Sequence, residues 1–162
     1  MINYTISYSN PHRHFVDFEF NSLTNGAKTM QFQLSAWRPG RYELANFSQN
    51  IQKWAAFDEN NNPLPFKKIT KDLWEVDTED AMEVTVTYNF YANQLDAGAC
   101  YLDEHQLYLN PVHCMFYIVG RKEENYTLNL EIPKDYEIAS SMEQSGNTLS
   151  VKGYDLLAES PI

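Results

Sequence analysis

The chain has 162 residues, enough to bury roughly two-thirds of its unfolded surface without disulfide or metal staples. Its 22 Asp and Glu outnumber 12 Lys and Arg, a formal charge of −10, and such a polyanion repels phosphate backbones and anionic lipid. Nucleic-acid and membrane-surface roles are therefore disfavoured, and the 43% apolar and 14% aromatic content excludes a disordered tail.

Alternation of apolar and polar residues dominates from the first segment onward. Ile2, Tyr4, Ile6 and Tyr8 share one face of an extended segment, with Asn3, Thr5 and Ser7 on the other. Val16, Phe18 and Phe20 oppose Phe15, Asp17 and Glu19, and Met30, Phe32 and Leu34 alternate with Gln31, Gln33 and Ser35. Leu44, Phe47, Ile51 and Trp54 are spaced as on a helix face, which predicts a helical turn at 43–47 running into a strand at about 49–57. Val84, Val86 and Tyr88, and then Tyr126, Leu128 and Leu130, restore the period of two. Such a period places one face in a core and the other in water. Turn signals separate the runs, among them Asn25-Gly26, Arg38-Pro39-Gly40 and Ser145-Gly146-Asn147. Many short strands with regular turns predict an all-β fold, an antiparallel β-sandwich with little helix. No linker or repeat divides the chain, so residues 1–162 read as a single β-sandwich domain.

The N-terminus has neither a basic segment nor a continuous apolar stretch, and no apolar run approaches the ~18 residues of a bilayer span. A soluble, cytoplasmic protein is the expectation. Cys100 and Cys114 make no disulfide framework. They could pair if they lie on adjacent strands, but buried free thiols are the favoured reading.

A chemical site is harder to find. His12 and His14 would face one side of a strand, but a metal needs a third ligand, and no HExxH places two zinc ligands and a base on one helix face. Asp103-Glu104-His105, with His113 and Cys114 beyond, could form an acid/base or metal cluster. A polar loop beside a half-buried strand explains them as well. There is no Gly-x-Ser-x-Gly elbow and no Gly-rich phosphate loop. Trp37, Trp54 and Trp74 could stack on sugar rings, which leaves a free-standing carbohydrate-binding module as the alternative. Alternation would bury Trp54 and Trp74, so core packing is favoured.

One segment carries more. Ala36-Trp37-Arg38-Pro39-Gly40-Arg41-Tyr42, followed by Phe47-Ser48, resembles the Trp-x-Pro-Gly-x-Tyr signature of the glycyl aminopeptidase family. Its physical sense is a sharp turn at Pro39 and Gly40, with Trp37 and Tyr42 flanking it and able to pack on the core. Further pieces follow in the family's order, including Tyr88-Asn89-Phe90-Tyr91-Ala92, Tyr101-Leu102-Asp103-Glu104-His105 with Asn110, and Tyr154-Asp155-Leu156-Leu157-Ala158-Glu159-Ser160-Pro161. Two departures stand out: Asp96-Ala97-Gly98-Ala99-Cys100 lacks the basic residue the family often carries there, and Glu159 replaces its usual Asp.

The resemblance implies a zinc metallopeptidase built from an N-terminal β domain, a thermolysin-like catalytic domain and a C-terminal PDZ domain. This chain would be the first of these, catalytically inert and without cofactor of its own, zinc belonging to the parent. It would pack against its own catalytic domain and line the cleft that takes the peptide substrate. By analogy with aminopeptidase N, the cleft rim is expected at Asp103, Glu104, His105 and Asn110, an acidic edge suited to a substrate's ammonium group.

Overall fold

The computed structural model of the chain describes every residue except Pro39 and Tyr42. In chain order the elements are Ile2–Ser7 (β1), a 3-10 turn at Pro11–Arg13, Phe15–Leu23 (β2) and Thr29–Leu34 (β3). A second 3-10 turn at Phe47–Asn50 leads into Ile51–Phe57 (β4), Phe66–Thr70 (β5), Leu73–Asp77 (β6) and Glu83–Tyr91 (β7). Two short strands, Tyr101–Leu102 (β8) and Leu107–Tyr108 (β9), precede the helical turn Pro111–Cys114 (α1) and Phe116–Ile118 (β10). The chain continues with Asn125–Glu131 (β11), Glu143–Ser145 (β12), Thr148–Lys152 (β13) and the short helix Tyr154–Ala158 (α2).

The strands form a seven-stranded sheet in the order β12-β13-β11-β1-β2-β7-β4, a four-stranded sheet in the order β10-β3-β6-β5, and the β8-β9 ribbon. The expected β-sandwich follows from the alternation. In β1, β2 and β7 every second residue is buried, and the same holds for the apolar positions of β3 and β11. The inward faces meet through aromatic edges. Phe20 of the large sheet meets Phe32 of the small one at 5.3 Å, and Tyr88 meets Phe116 at 4.9 Å, both nearly perpendicular. Edge-to-face pairs of this kind add to the burial term. One described pair is parallel: β1 and β11 align Ile2 with Tyr126 through Ser7 with Glu131.

Local structure departs from the simple pattern at three places. Asn25 and Gly26 both have positive φ, 54° and 77°, but they do not close a hairpin. They hand the chain from β2 in the large sheet to β3 in the small one, and β3 pairs instead with β6 and β10. The helical turn forms at 47–50 rather than 43–47. Leu44 is 79% exposed and contributes nothing to the face its spacing implied, whereas Phe47, Ile51 and Trp54 all pack on the core. Lys53, at φ 53°, then shifts the register between Gln52 and Ala55, so β4 is not a simple alternating strand. By contrast, Ser145-Gly146-Asn147 makes the tight β12-β13 hairpin its residues require.

Trp74 is buried and Trp54 half-buried, stacked on it at 5.8 Å and 15°. Trp37 differs, being 48% exposed. The exposed Phe66 lies on Trp54 at 4.5 Å but is tilted by 56°, so the described rings do not make the flat row that a sugar platform needs.

Three buried tyrosines hold the chain just after α1. The Tyr4 hydroxyl accepts from the Phe116 amide at 2.7 Å and donates to the Phe116 carbonyl at 3.2 Å. The Tyr88 hydroxyl donates to the Cys114 carbonyl at 2.7 Å, and Tyr154 to the Met115 carbonyl at 3.1 Å. Each hydroxyl satisfies backbone that would otherwise be stranded in the core. Together they set the position of α1 and of Asn110, which precedes it.

Candidate functional site

The site residues expected from the sequence divide between two places. Asp103, Glu104 and His105 form the tip of the β8-β9 ribbon. The Asp103 carboxylate closes the turn, accepting from the amides of His105 at 2.8 Å and Gln106 at 2.9 Å. Those bonds, the His105 amide first, hold its carboxyl below the usual carboxylate range. Glu104 is exposed and lies between two imidazoles, 3.3 Å from His105 and 3.8 Å from His12. His12 and His14 are not on a strand: His12 lies in a 3-10 turn and His14 in the left-handed conformation at its end. His14 instead puts Nδ1 2.6 Å from the Leu102 carbonyl. The exposed His105 and the buried His113 therefore belong to different surroundings and share no site.

Asn110 stands apart from the ribbon tip. It is 6% exposed, the residue before α1, with Pro111 in the first helical position. Its backbone carbonyl is bonded by the His113 amide at 2.9 Å and approached by the thiols of Cys100 and Cys114, at 3.7 and 3.5 Å. The two cysteines are thus buried free thiols, and burial pushes the Cys114 thiol well up. The Asn110 amide nitrogen donates to the Ala97 carbonyl at 3.3 Å, and no donor among the described residues reaches its Oδ1. Asn110 lines an open cleft of about 560 Å³ shared with Trp37, Arg38, Ala97, Tyr154 and Glu159.

The signature turn supplies one wall of this cleft. Gly40 has φ 84°, the positive value expected of it. Pro39 and Tyr42, named with it as signature residues, lie outside the described residues. Trp37 does not pack inward; its indole N–H donates to the Arg41 carbonyl at 2.5 Å, which holds the ring across the turn. Arg38 runs to the 94–99 loop, where a Cβ placed on Gly98 would lie 2.3 Å from its guanidinium nitrogen. The loop has no basic residue of its own, yet it receives this cation from sixty residues away. The Arg38 Nε is buried with no hydrogen-bond partner among the described residues, a loss of about 1–3 kcal/mol by itself. Buried donors without a partner are rare, and each calls for an explanation.

Beneath the turn, His113 is 4% exposed and stacks on Phe47 at 3.9 Å, with Nε2 unpartnered among the described residues. Burial first, then the Arg38 charge, pushes its imidazole down to about 4. The unfolded chain, with an ordinary value near 6.5, takes up the proton first. His113 therefore contributes its full stability above pH 6.5 and loses it as pH falls through about 4. Urea midpoints are expected to drop across that window, and His113→Gln to flatten the drop. An unchanged slope in the variant would place the titration elsewhere.

Arg38 and the cleft were not legible as a site. Arg38 appeared only as a turn residue, and its partner loop is set by the tertiary fold. No group of three His, Cys, Asp or Glu among the described residues could hold a metal, so the donor set does not fit a zinc site. No described helix is long and apolar enough to cross a membrane.

Comparison with known proteins places the chain. Residues 3–162 match the family model of the Peptidase M61 N-terminal domain. A search of curated proteins finds no match. Among solved structures, an aminopeptidase N family protein from Idiomarina loihiensis is 27% identical with a TM-score of 0.88, over 99% of this chain and 28% of that one. An M1 zinc metallopeptidase from Deinococcus radiodurans, bound to a Tyr-Ser-Ala substrate, is 10% identical with a TM-score of 0.50, over 93% of this chain and 38% of that one. The chain thus spans well under half the length of either protein, and the second likeness is one of fold. With a sandwich of the same shape and a family match over nearly its whole length, the chain belongs to the Peptidase M61 N-terminal domain family.

Proposed function

We propose that the chain is the non-catalytic N-terminal β domain of a zinc-dependent aminopeptidase of the glycyl aminopeptidase type. In this reading it packs against its own catalytic domain and lines the cleft that admits the peptide. The catalytic and PDZ domains, with the zinc, lie elsewhere on a longer polypeptide. The observation that carries the reading is the structural likeness to the Idiomarina protein, which takes in 99% of this chain but only 28% of that one.

The rim proposed for the substrate's amino end comprises Asp103, Glu104, His105 and Asn110. Asn110 is the best supported of the four, because it lines the cleft and its Oδ1 has no donor among the described residues. Glu104 supplies an exposed negative charge at the ribbon tip. An acceptor and an acidic edge both suit an ammonium group.

The test uses the full-length polypeptide and dipeptide substrates with a free amino end. Asn110→Ala is expected to raise KM by about tenfold, the loss of one hydrogen bond to a charged group, with kcat changed less. Glu104→Gln is expected to raise KM by about two- to threefold, as suits an exposed charge. Unchanged KM in both variants removes the rim from the substrate site. No peptide hydrolysis by the zinc-loaded full-length polypeptide removes the aminopeptidase reading itself.

A further inference from the structure

Arg38 and Asn110 are seated on consecutive residues of one loop. The guanidinium lies across Gly98, and the Asn110 amide is bonded to the Ala97 carbonyl. Both side chains line the same cleft. Arg38 makes no ion pair with a described carboxylate, and its Nε has no described acceptor. The acid beside it, Asp96, spends its oxygens on the Gly98 amide at 2.6 Å and on the Gln94 side chain. Further along the cleft, Lys122 is already countered by Asp155 at 3.8 Å and lies over the Tyr117 ring at 4.5 Å. Arg38 is therefore a cation of this cleft that feels the charge of Asp96 but makes no ion pair with a described carboxylate, and its planar fork suits a carboxylate better than any other common anion of a peptide. Glu159, exposed on the cleft, carries the opposite sign and keeps the whole cleft from being a general anion trap.

We propose that Arg38 is a carboxylate subsite, binding the free C-terminal carboxylate of a short peptide in the cleft shared with Asn110. The proposal deepens the peptide-cleft reading above and rests on it for the ligand class. It makes Arg38 a specificity determinant for short peptides with an unblocked end, and Gly98 the position that lets the guanidinium lie flat on the loop.

The probes are acetyl-dialanine, which has a free carboxylate and no amine to be cleaved, and its carboxamide, each titrated calorimetrically into the full-length polypeptide. The acid is expected to bind about tenfold or more tightly than the amide, the ordinary worth of a charge-assisted pair. Arg38→Gln is expected to bring the acid down to the amide's affinity. Gly98→Ala, whose Cβ displaces the guanidinium tip while keeping the charge, should weaken the acid alone by about threefold or more. Equal affinities for acid and amide, absence of binding by both, or an acid unaffected by Arg38→Gln each overturn the subsite. If an acidic side chain of the catalytic domain takes Arg38 instead, Arg38→Gln lowers Tm and the acid holds no advantage over the amide, which also overturns it. Because the probes are not cleaved, the result is separable from turnover. A polypeptide that prefers the acid but hydrolyses no peptide keeps the subsite and loses the aminopeptidase reading, and the converse outcome does the reverse.

Discussion

Phe116→Ala is expected to cost about 3–5 kcal/mol, the usual range for removing a buried aromatic ring whose surroundings cannot collapse. Phe116 is fully buried at the meeting of the two sheets. Its ring meets Trp74 at 5.1 Å and Tyr88 at 4.9 Å, both edge-on, so truncation removes two aromatic pairs along with the burial. Neither neighbour is free to fill the space. Trp74 is stacked on Trp54, and the Tyr88 hydroxyl is tied to the Cys114 carbonyl. Equilibrium unfolding in urea checks the value. A cost under about 1.5 kcal/mol would mean that the core repacks there, as it does for volume-conserving changes.

Tyr4→Phe is expected to cost about 2–3 kcal/mol although it removes a single oxygen. That oxygen accepts from the Phe116 amide and donates to its carbonyl, both buried. Deletion strands the amide with no water to replace the lost partner, and the desolvation cost of an unpaired buried group is then felt in full. Tyr88→Phe strands one carbonyl and no donor, and should cost less, about 1 kcal/mol. The ordering of the two variants by urea midpoint is the decisive readout. Equal losses would show that the Phe116 amide finds another acceptor.

The sandwich was legible because its strands are half-buried and their residue types agree with the period. The buried and half-buried positions of β1 and β2 fall where Ile2, Tyr4, Ile6, Val16, Phe18 and Phe20 require. What sequence pattern could not give was pairing. Asn25-Gly26 has the dihedral angles of a hairpin, yet its flanking strands lie in different sheets, since partner choice is settled by contacts far along the chain. The helical spacing of Leu44, Phe47, Ile51 and Trp54 likewise misled at its first member, which faces solvent. At the candidate site, residue type pointed to the acidic ribbon tip, and Asn110 was found through the family resemblance. Arg38 carries no local signal at all. Its importance rests on a buried nitrogen without an acceptor and on a glycine sixty residues away, both properties of the folded chain. Trp37, which the signature turn leaves able to pack on the core, is kept at the cleft mouth by its hydrogen bond to Arg41.

The parallel pairing of β1 with β11 has a temporal consequence. In the large sheet β1 lies between β2 and β11, and β11 is synthesised more than a hundred residues after it. Until then the β1-β2 hairpin presents an unfilled edge on the nascent polypeptide, a template for the wrong chain as readily as the right one. Closure over so long a loop is slow. Slow translation or chaperone shelter before residue 131 should therefore raise the yield of soluble protein more than either would for a sandwich of the same size built from sequential hairpins.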